Sequence, residues 1–461
     1  MRFNNLTSSF QDYKEMWKFA RTAYEAMDGF YNGSLLDKYP RETDDKYEAR
    51  QKIAYYTNLF APAVNRYVGY LYKQRPTRVA LSRPDIVDII SNDIDLKGNN
   101  IDVFMGTVAK NLKIRGVAVV LVDNFKELGT NAKEQMSERK YPYFVEIYPE
   151  NIDSFVLDID GTFKEVSILD VEWVQEDGEW IEKEVKYTYT KNEWVKELDG
   201  EIVEQGEHNL GVNPVQYISE NGKFPTIGEF TTIASLNKRH YNLTSELDEQ
   251  LRGNTFSILT LNANDPKKDV DLKLSTENAL TYGRDLERPA FIAPDIAPAQ
   301  MYQDRIEKME KTIREISYDI TTNKAHESGI ALSIKFDGLN SSLANFASRL
   351  NNFERNLFNI VARYLGIDNL IEITYPKDFN ITDVEKEVAI LSDVKDLGYV
   401  LPEYEKQKLM QIITNDLHNV SYGRIEDIKK EVEEYIEGVK LTEGLDGDPN
   451  NDPDNDYQKE G

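Results

Sequence analysis

The first 75 residues repeat hydrophobic positions at helical spacing. One stripe predicts a helix with a single buried face, and it consists of Phe10, Tyr13, Trp17, Ala20, Tyr24 and Met27. A second stripe predicts a helix over about 46–73, with a kink or break at Pro62 and an end before Pro76. Residues 85–112 carry a third helical pattern. The chain is therefore predicted to begin with helices.

Strand-like patterns follow further along the chain. The apolar run 117–122 predicts a buried strand, and residues 143–219 predict an antiparallel meander with one solvated face. Helical spacing returns over 228–252. Residues 254–298 mix short strand-like pieces with prolines, which indicates a compact insertion between two helices. Together these patterns predict the α+β fold class.

Two later helices carry narrow apolar stripes. In both, the spacing alternates between three and four residues, which is typical of a helix that packs along another helix. The first of them, on residues 302–320, is too short for a free-standing coiled coil, so it predicts packing inside a larger assembly. The residues predicted to form this seam are Ile306, Met309, Ile313, Ile316, Ile320, Leu343, Phe346, Leu350 and Phe353.

The second of these helices carries asparagine and serine on its other faces. Both are poorer helix formers than Glu and Lys, which favours a packed or lumen-facing surface; the alternative is a poorly optimised surface helix. Between the two helices, residues 321–335 are mostly small and polar around a glycine, which predicts an exposed tip. Lys324 and His326 on that tip are candidates for phosphate contact, and the alternative is a solvated loop without a role.

The 461-residue chain is strongly acidic. Its 81 acidic and 55 basic residues give a formal net charge of −26. DNA carries about one negative charge per 1.7 Å of its axis, so this balance disfavours broad binding to nucleic acid. It is compatible with a wall along which DNA slides without a lasting bound state. The alternative is that the charge serves solubility alone.

Composition disfavours several classes of site. The chain has no cysteine and four dispersed histidines, so we expect no metal centre and no cofactor. No apolar run reaches the roughly 18–20 residues of a membrane helix, and the first residues lack the apolar core of a signal peptide, so we expect neither membrane association nor export. Asp158 and Asp160 resemble the start of a calcium loop, but Val156 and Ser167 stand where acidic ligands are needed.

Two function classes follow from these patterns alone. A non-enzymatic oligomeric scaffold explains the stripes and the acidity. An enzyme would depend on carboxylates, since the sequence contains no phosphate-binding loop with lysine, no G-x-S-x-G and no H-E-x-x-H motif. Carboxylates are so abundant that no pair of them points to catalysis.

The order of motifs resembles the portal proteins, or head-to-tail connectors, of tailed bacteriophages. Ser328-Gly-Ile-Ala-Leu332 is similar to their small-residue entry into a long helix, and the strand Ile371-Glu-Ile-Thr-Tyr375 follows that helix. His208-Asn-Leu-Gly-Val-Asn-Pro-Val215 is similar to their approach to the stem, and residues 58–71 are similar to an early helix of the family. The resemblance covers most of the chain, and the order of the motifs carries it.

This resemblance implies a mainly helical portal fold with an antiparallel β-rich wing, stem helices, a small α/β clip and a helical crown. The implied segments are a wing at 1–228 with 367–381, stem helices at 229–252 and 300–320, a clip at 253–299, a tunnel loop at 321–337, a long helix at 338–366 and a crown at 382–441. Composition adds a disordered acidic tail at 442–461.

The resemblance also implies a non-enzymatic role in the virion, as a dodecameric ring at one capsid vertex that conducts the genome during packaging and ejection. Implied partners are further copies of the chain, double-stranded DNA in the channel, the terminase large subunit, head-completion or adaptor proteins, and major capsid and scaffolding proteins. Assembly would take place in the host cytoplasm. The candidate channel residues on the tunnel loop are Lys324, His326, Glu327, Ser328 and Lys335.

Overall fold

A computed structural model describes most of the first 377 residues. The described residues are 2–3, 8–125, 132–176, 179–255, 258–260, 290–292, 297–319, 329–377 and 379. The chain divides into two compact units, residues 1–71 with 77–375 and residues 72–76 with 376–461. Every element named below belongs to the first unit. The predicted crown and acidic tail lie outside the described residues.

Helices and antiparallel strands make up the described residues, in agreement with the α+β prediction. The helices are α1 (Ser8–Glu25), α2 (Asp44–Ile53), α3 (Phe60–Leu71), α4 (Pro84–Asn92), α5 (Ile101–Arg115), α6 (Ala132–Ser137), α7 (Thr231–Thr255), α8 (Ala297–Ile316) and α9 (Gly329–Leu365). The strands are β1 (Arg2–Phe3), β2 (Thr77–Ala80), β3 (Val117–Asp123), β4 (Tyr143–Ile147), β5 (Ile152–Leu157), β6 (Phe163–Glu176), β7 (Glu179–Tyr189), β8 (Glu193–Leu198), β9 (Glu201–Glu207), β10 (Val215–Ser219), β11 (Ile258–Thr260), β12 (Ala290–Ile292) and β13 (Ile371–Thr374). Short 3₁₀ turns lie at Asp28–Phe30 and Pro149–Asn151.

A six-stranded antiparallel sheet has the order β1-β5-β6-β7-β8-β9. The predicted meander is confirmed for β5 to β9, which are neighbours in the sheet as they are in the sequence. β4 and β10 are the exceptions, because they pair with β3 in a separate sheet of order β10-β3-β4. Six of the seven residues of β3 are buried, so its backbone polar groups are out of reach of water and need strands on both edges.

An aromatic cluster packs α1 against β5 and β6. The ring of Phe224 lies 4.9 Å from that of Phe155 and 5.1 Å from that of Phe163. Trp17 is fully buried, and its indole N–H donates a 2.8 Å hydrogen bond to the carbonyl of Thr226. The predicted buried face of this helix is therefore confirmed at Trp17. Its last predicted member, Met27, is 57% exposed because α1 ends two residues earlier.

The predicted helix over 46–73 is divided into α2 and α3. The Asn58 side chain accepts hydrogen bonds from the backbone N–H groups of Phe60 at 3.1 Å and Ala61 at 2.9 Å. This cap marks the start of α3 and places Pro62 in its first turn. Backbone N–H groups there have no partner within the helix, so the lack of one in proline costs nothing. The break therefore precedes the proline.

The predicted helix over 85–112 is likewise divided, into α4 and α5. Gly98 has φ +84° between them, a left-handed conformation that glycine adopts without strain. The Asn100 side chain then accepts a 3.0 Å hydrogen bond from the Val103 N–H and caps α5. A turn and a cap thus interrupt an apolar pattern that looks continuous in the sequence.

The long helix α9 begins earlier than predicted. Residues 329–337 were assigned to the loop, but they are helical. Gly338 lies within this helix, although glycine in a helix costs roughly 1 kcal/mol relative to alanine. Leu332 and Phe336 extend the spacing of the second stripe backwards from Leu339. The resulting helix has 37 residues and is about 55 Å long.

Two short strand pairs complete the described part. The strand predicted after the long helix is confirmed as β13, which pairs antiparallel with β2 and sets Ile371 opposite Ala80. Between α7 and α8, Ile258 of β11 stands opposite Ile292 of β12. The first and last residues of the predicted insertion belong to α7 and α8, and its other residues lie outside the described part of the chain.

Candidate functional site

The predicted channel residues fall at the edge of the described chain. Lys324, His326, Glu327 and Ser328 lie outside it. Lys335 belongs to the backbone of α9 and not to a loop. The part of the predicted site that the structure describes is therefore formed by α7, α8 and α9, together with the residues packed against them.

α7 and α8 run antiparallel along one another. His240 Nε2 lies 3.3 Å from Glu310 Oε1, and the side chain of Glu246, six residues later in α7, hydrogen-bonds with that of Tyr302, which comes earlier in α8. The first predicted stripe lies on α8. Met309 and Ile313 are buried within the chain, Ile306 and Ile316 are half-buried, and Ile320 lies outside the described residues.

The second predicted stripe is buried inside the chain itself. Leu343, Phe346, Leu350 and Phe353 are each at most 5% exposed. The Phe346 ring meets the Tyr67 ring edge-on at a centroid distance of 5.5 Å. These four side chains are buried without a second copy of the chain. A contact between copies therefore does not need these four side chains. It stays a prediction, and the half-buried positions of α8 are its candidate residues.

A buried lysine lies beneath this stripe. Lys113 is 3% exposed and lies 2.9 Å from a carboxylate oxygen of Glu220. Its ammonium is 4.4 Å from the ring centroids of Tyr67 and Phe230 and 5.4 Å from that of Phe346. Burial lowers the pKa of Lys113, but Glu220, Tyr67 and Glu229 together outweigh burial and raise the pKa overall. The sequence contains no signal for this cluster, since an isolated lysine in an amphipathic helix predicts a solvated position.

Two open cavities lie along the polar face of α9. A cavity of about 270 Å³ is lined by Asn352 and Asn356, and one of about 690 Å³ by Ser342 and Asn345. Arg349 lines both cavities. The accumulation of asparagine and serine noted in the sequence therefore coincides with recessed surface. Amides and hydroxyls both donate and accept hydrogen bonds there, so this face suits a polar partner surface.

Two kinds of site are absent from the part of the chain that the structure describes. No group of three or more His, Cys, Asp or Glu side chains is arranged to hold a metal ion among the described residues. None of the described helices is both long and apolar enough to span a bilayer.

Comparisons with known proteins find similarity in structure only. No protein-family model matches the chain, and no curated protein matches it. A chain from the virion of a native gene transfer agent (GTA) particle is 9% identical with a TM-score of 0.43, covering 83% of this chain and 96% of that one. A chain from the neck of an empty GTA particle with C6 symmetry is 10% identical with a TM-score of 0.45, covering 76% and 89%. A chain from the neck of a native GTA particle with C12 symmetry is 9% identical with a TM-score of 0.43, covering 76% and 90%. At TM-scores this low, the likeness carries no argument about this chain.

Proposed function

We propose that this chain is the subunit of a ring-shaped head-to-tail connector in a phage-like particle. Twelve copies form a closed ring at one capsid vertex, and double-stranded DNA passes through the ring during packaging and ejection. The ring catalyses no reaction. Its partners are the terminase large subunit, head-completion or adaptor proteins, and the major capsid and scaffolding proteins.

The order of the long helices is the observation that carries this proposal. The antiparallel pair α7 and α8 encloses the β11–β12 pair in sequence, and the 37-residue α9 follows. In the proposed ring, α7 and α8 are the stem helices, the part of residues 253–299 that lies between them is the clip, and α9 is the long helix. The resemblance to portal proteins implies a stem helix, a clip, a second stem helix and a long helix in this order, and the described helices follow that order.

The start of α9 shortens the residue range of the proposed tunnel loop. Because residues 329–337 are helical, the loop comprises residues 321–328, with Lys324 and His326 as its candidate DNA contacts. Lys335 is assigned to the base of the long helix. The pairing of β13 with β2 supports placing residues 367–381 with the wing at 1–228.

Contacts between copies use the surface that remains exposed once the stripe of α9 is buried. A heterologous interface closes into a ring when its rotation closes. The half-buried Ile306 and Ile316 of α8 offer apolar positions for such a contact. The formal net charge of −26 suits the wall of a DNA channel, because like charge denies the moving duplex a lasting bound state.

Electron microscopy of the purified full chain tests the proposal. We expect rings with a central hole, a mass near twelve times the 53.2 kDa of one chain, and density for residues 321–328 facing the symmetry axis. A compact monomer would support an enzyme, and a filament or open oligomer would support a scaffold; either would overturn the proposal. A ring in which residues near 328 lie far from the axis would reject the channel assignment.

A further inference from the structure

The β6–β7 hairpin extends beyond the rest of its sheet. β7 pairs with β6 over its full length, from Tyr189 opposite Val166 to Glu179 opposite Glu176. By contrast, β8 pairs with β7 only as far as Val185, and β5 pairs with β6 only as far as Ile168. The outer residues, 170–176 and 179–184, therefore form a two-stranded ribbon roughly 20 Å long, which we call the outer ribbon.

One face of the outer ribbon is joined to the sheet by polar contacts. The Tyr187 hydroxyl donates a hydrogen bond to the Glu172 carboxylate, and the Lys196 ammonium binds the same carboxylate at 2.8 Å. Further out, Lys183 pairs with Asp199 at 3.3 Å. These contacts fix the orientation of the ribbon and leave the opposite face free to present its side chains.

The opposite face presents large apolar side chains to solvent. Trp173 is 62% exposed, Trp180 is 64% exposed and Val171 is 49% exposed. Trp173 stands opposite Glu182, and Trp180 stands opposite Gln175, so the two indoles are diagonal neighbours on one face. Two-stranded hairpins are marginally stable in water, and tryptophan is among the residues enriched at the energetic centres of protein interfaces. An interface is the physical reason for placing two indoles there.

Charge selects the kind of partner. Residues 170–184 contain seven acidic residues and one lysine. Glu182 and Glu184 are exposed on the same face as the indoles, and within the described residues they form no ion pair. This acidic face would repel nucleic acid and any acidic surface, including an acidic surface on a second copy of this chain.

We propose that this face docks a basic protein surface in which arginines alternate with apolar side chains. An arginine guanidinium stacks on an indole and also binds a carboxylate in bidentate fashion, and the outer ribbon offers both groups side by side. The apolar residues of the partner cover the remainder of the indoles. This proposal does not depend on ring formation, so the microscopy described above and the experiment below can fail independently.

A labelled ten-residue peptide of alternating arginine and leucine tests the surface. Its binding to the full chain is followed by fluorescence anisotropy in about 0.15 M salt, where charges further apart than roughly 8 Å are screened. We expect Trp173→Ala/Trp180→Ala, which leaves the net charge unchanged, to weaken binding at least tenfold. We expect a similar loss from Glu182→Gln/Glu184→Gln, which keeps both indoles.

Two control variants match these changes elsewhere. Ile159→Ala removes a fully exposed apolar side chain from the turn between β5 and β6, and Glu193→Gln/Glu201→Gln removes two exposed carboxylates at the far edge of the sheet. Both should change the dissociation constant less than twofold. Equal binding by all variants, or no binding by the unmodified chain, overturns the proposal. Sedimentation showing self-association that the tryptophan variant abolishes assigns the surface to a second copy and overturns it as well.

Discussion

Arg78 and Glu354 form a buried ion pair that joins β2 to α9. The guanidinium Nε lies 2.5 Å from the carboxylate, which is fully buried. Arg78 also lies 2.6 Å from Asp102, and the Tyr375 hydroxyl donates a 2.6 Å hydrogen bond to Glu354. Burial disfavours the charged form of Arg78, but Glu354, Tyr375 and Asp102 together outweigh burial and raise the pKa of Arg78.

Replacing Arg78 should strongly destabilise the chain. Arg78→Met leaves the Glu354 carboxylate buried without its counter-charge, and we expect a loss of about 3–5 kcal/mol in the free energy of unfolding. Urea unfolding followed by circular dichroism measures it. Arg83→Met is the matched control, because Arg83 and Asp85 form an exposed pair, and its midpoint should hardly move. Equal midpoint shifts for the two variants would contradict a structural role for the buried pair.

A close approach of two glycines should make Gly116 irreplaceable. Gly116 ends α5 with φ +80°, and a Cβ there would lie 2.1 Å from the backbone nitrogen of Gly228. Left-handed strain and the clash together predict a loss of about 2–5 kcal/mol for Gly116→Ala. Gly106→Ala in the middle of the same helix meets nothing within 4 Å and should instead stabilise the chain by about 0.5–1 kcal/mol. The melting temperatures of both variants test this prediction. An equal melting temperature for Gly116→Ala and the unmodified chain would contradict it.

Alkaline pH should destabilise the chain in part through Tyr67. Burial raises the pKa of Tyr67 from 10.0 to about 12. Because the folded-state pKa lies above the unfolded value, Tyr67 contributes to the free energy of unfolding. That contribution is fully present below pH 10 and disappears as pH rises toward 12. It amounts to about 2–3 kcal/mol. In Tyr67→Phe the decline in unfolding free energy between pH 10 and 12 should be smaller by that amount.

A variant of Leu350 can distinguish burial within one chain from burial between copies. Leu350 is fully buried in one chain, so Leu350→Ala should cost about 2–5 kcal/mol even in dilute, unassembled protein. Asn352→Ala, at an exposed position two residues further along α9, should leave unfolding nearly unchanged. A Leu350 variant with normal unfolding in dilute solution and defective only in assembly would show that the stripe is an interface between copies.

The proposed tunnel loop can be tested separately from the ring. Removing residues 322–327 deletes Lys324 and His326 while sparing α9, which begins at Gly329. We expect rings to form in normal yield and DNA packaging or retention to fall, because the loop is proposed to face the bore. Restoring the length with six glycine and serine residues separates the contribution of the side chains from that of the loop itself. Full packaging by the deletion variant would refute the assignment.

Local patterns in the sequence were sufficient for the elements that they describe directly. The stripe through Trp17, the apolar run that forms β3, the meander from β5 to β9 and the strand β13 follow from spacing and turn residues, because neighbouring residues set backbone conformation. Breaks were harder to predict. Asn58 and Asn100 divide two predicted helices by capping new ones, and such caps are easily missed beside a strong apolar stripe.

Only the tertiary structure decided where each apolar face is buried. The spacing of the stripe through Leu343 and Leu350 is the same whether its partner helix belongs to the same chain or to another copy. The hydrophobic effect is non-directional and depends only on the apolar area removed from water, so the sequence cannot distinguish the two cases. The same holds for charge. Lys113 and Glu220 are 107 residues apart in sequence, and Arg78 and Glu354 are 276 apart. Composition established an acidic chain without cysteine, and folding selected which of its charges would be buried in pairs.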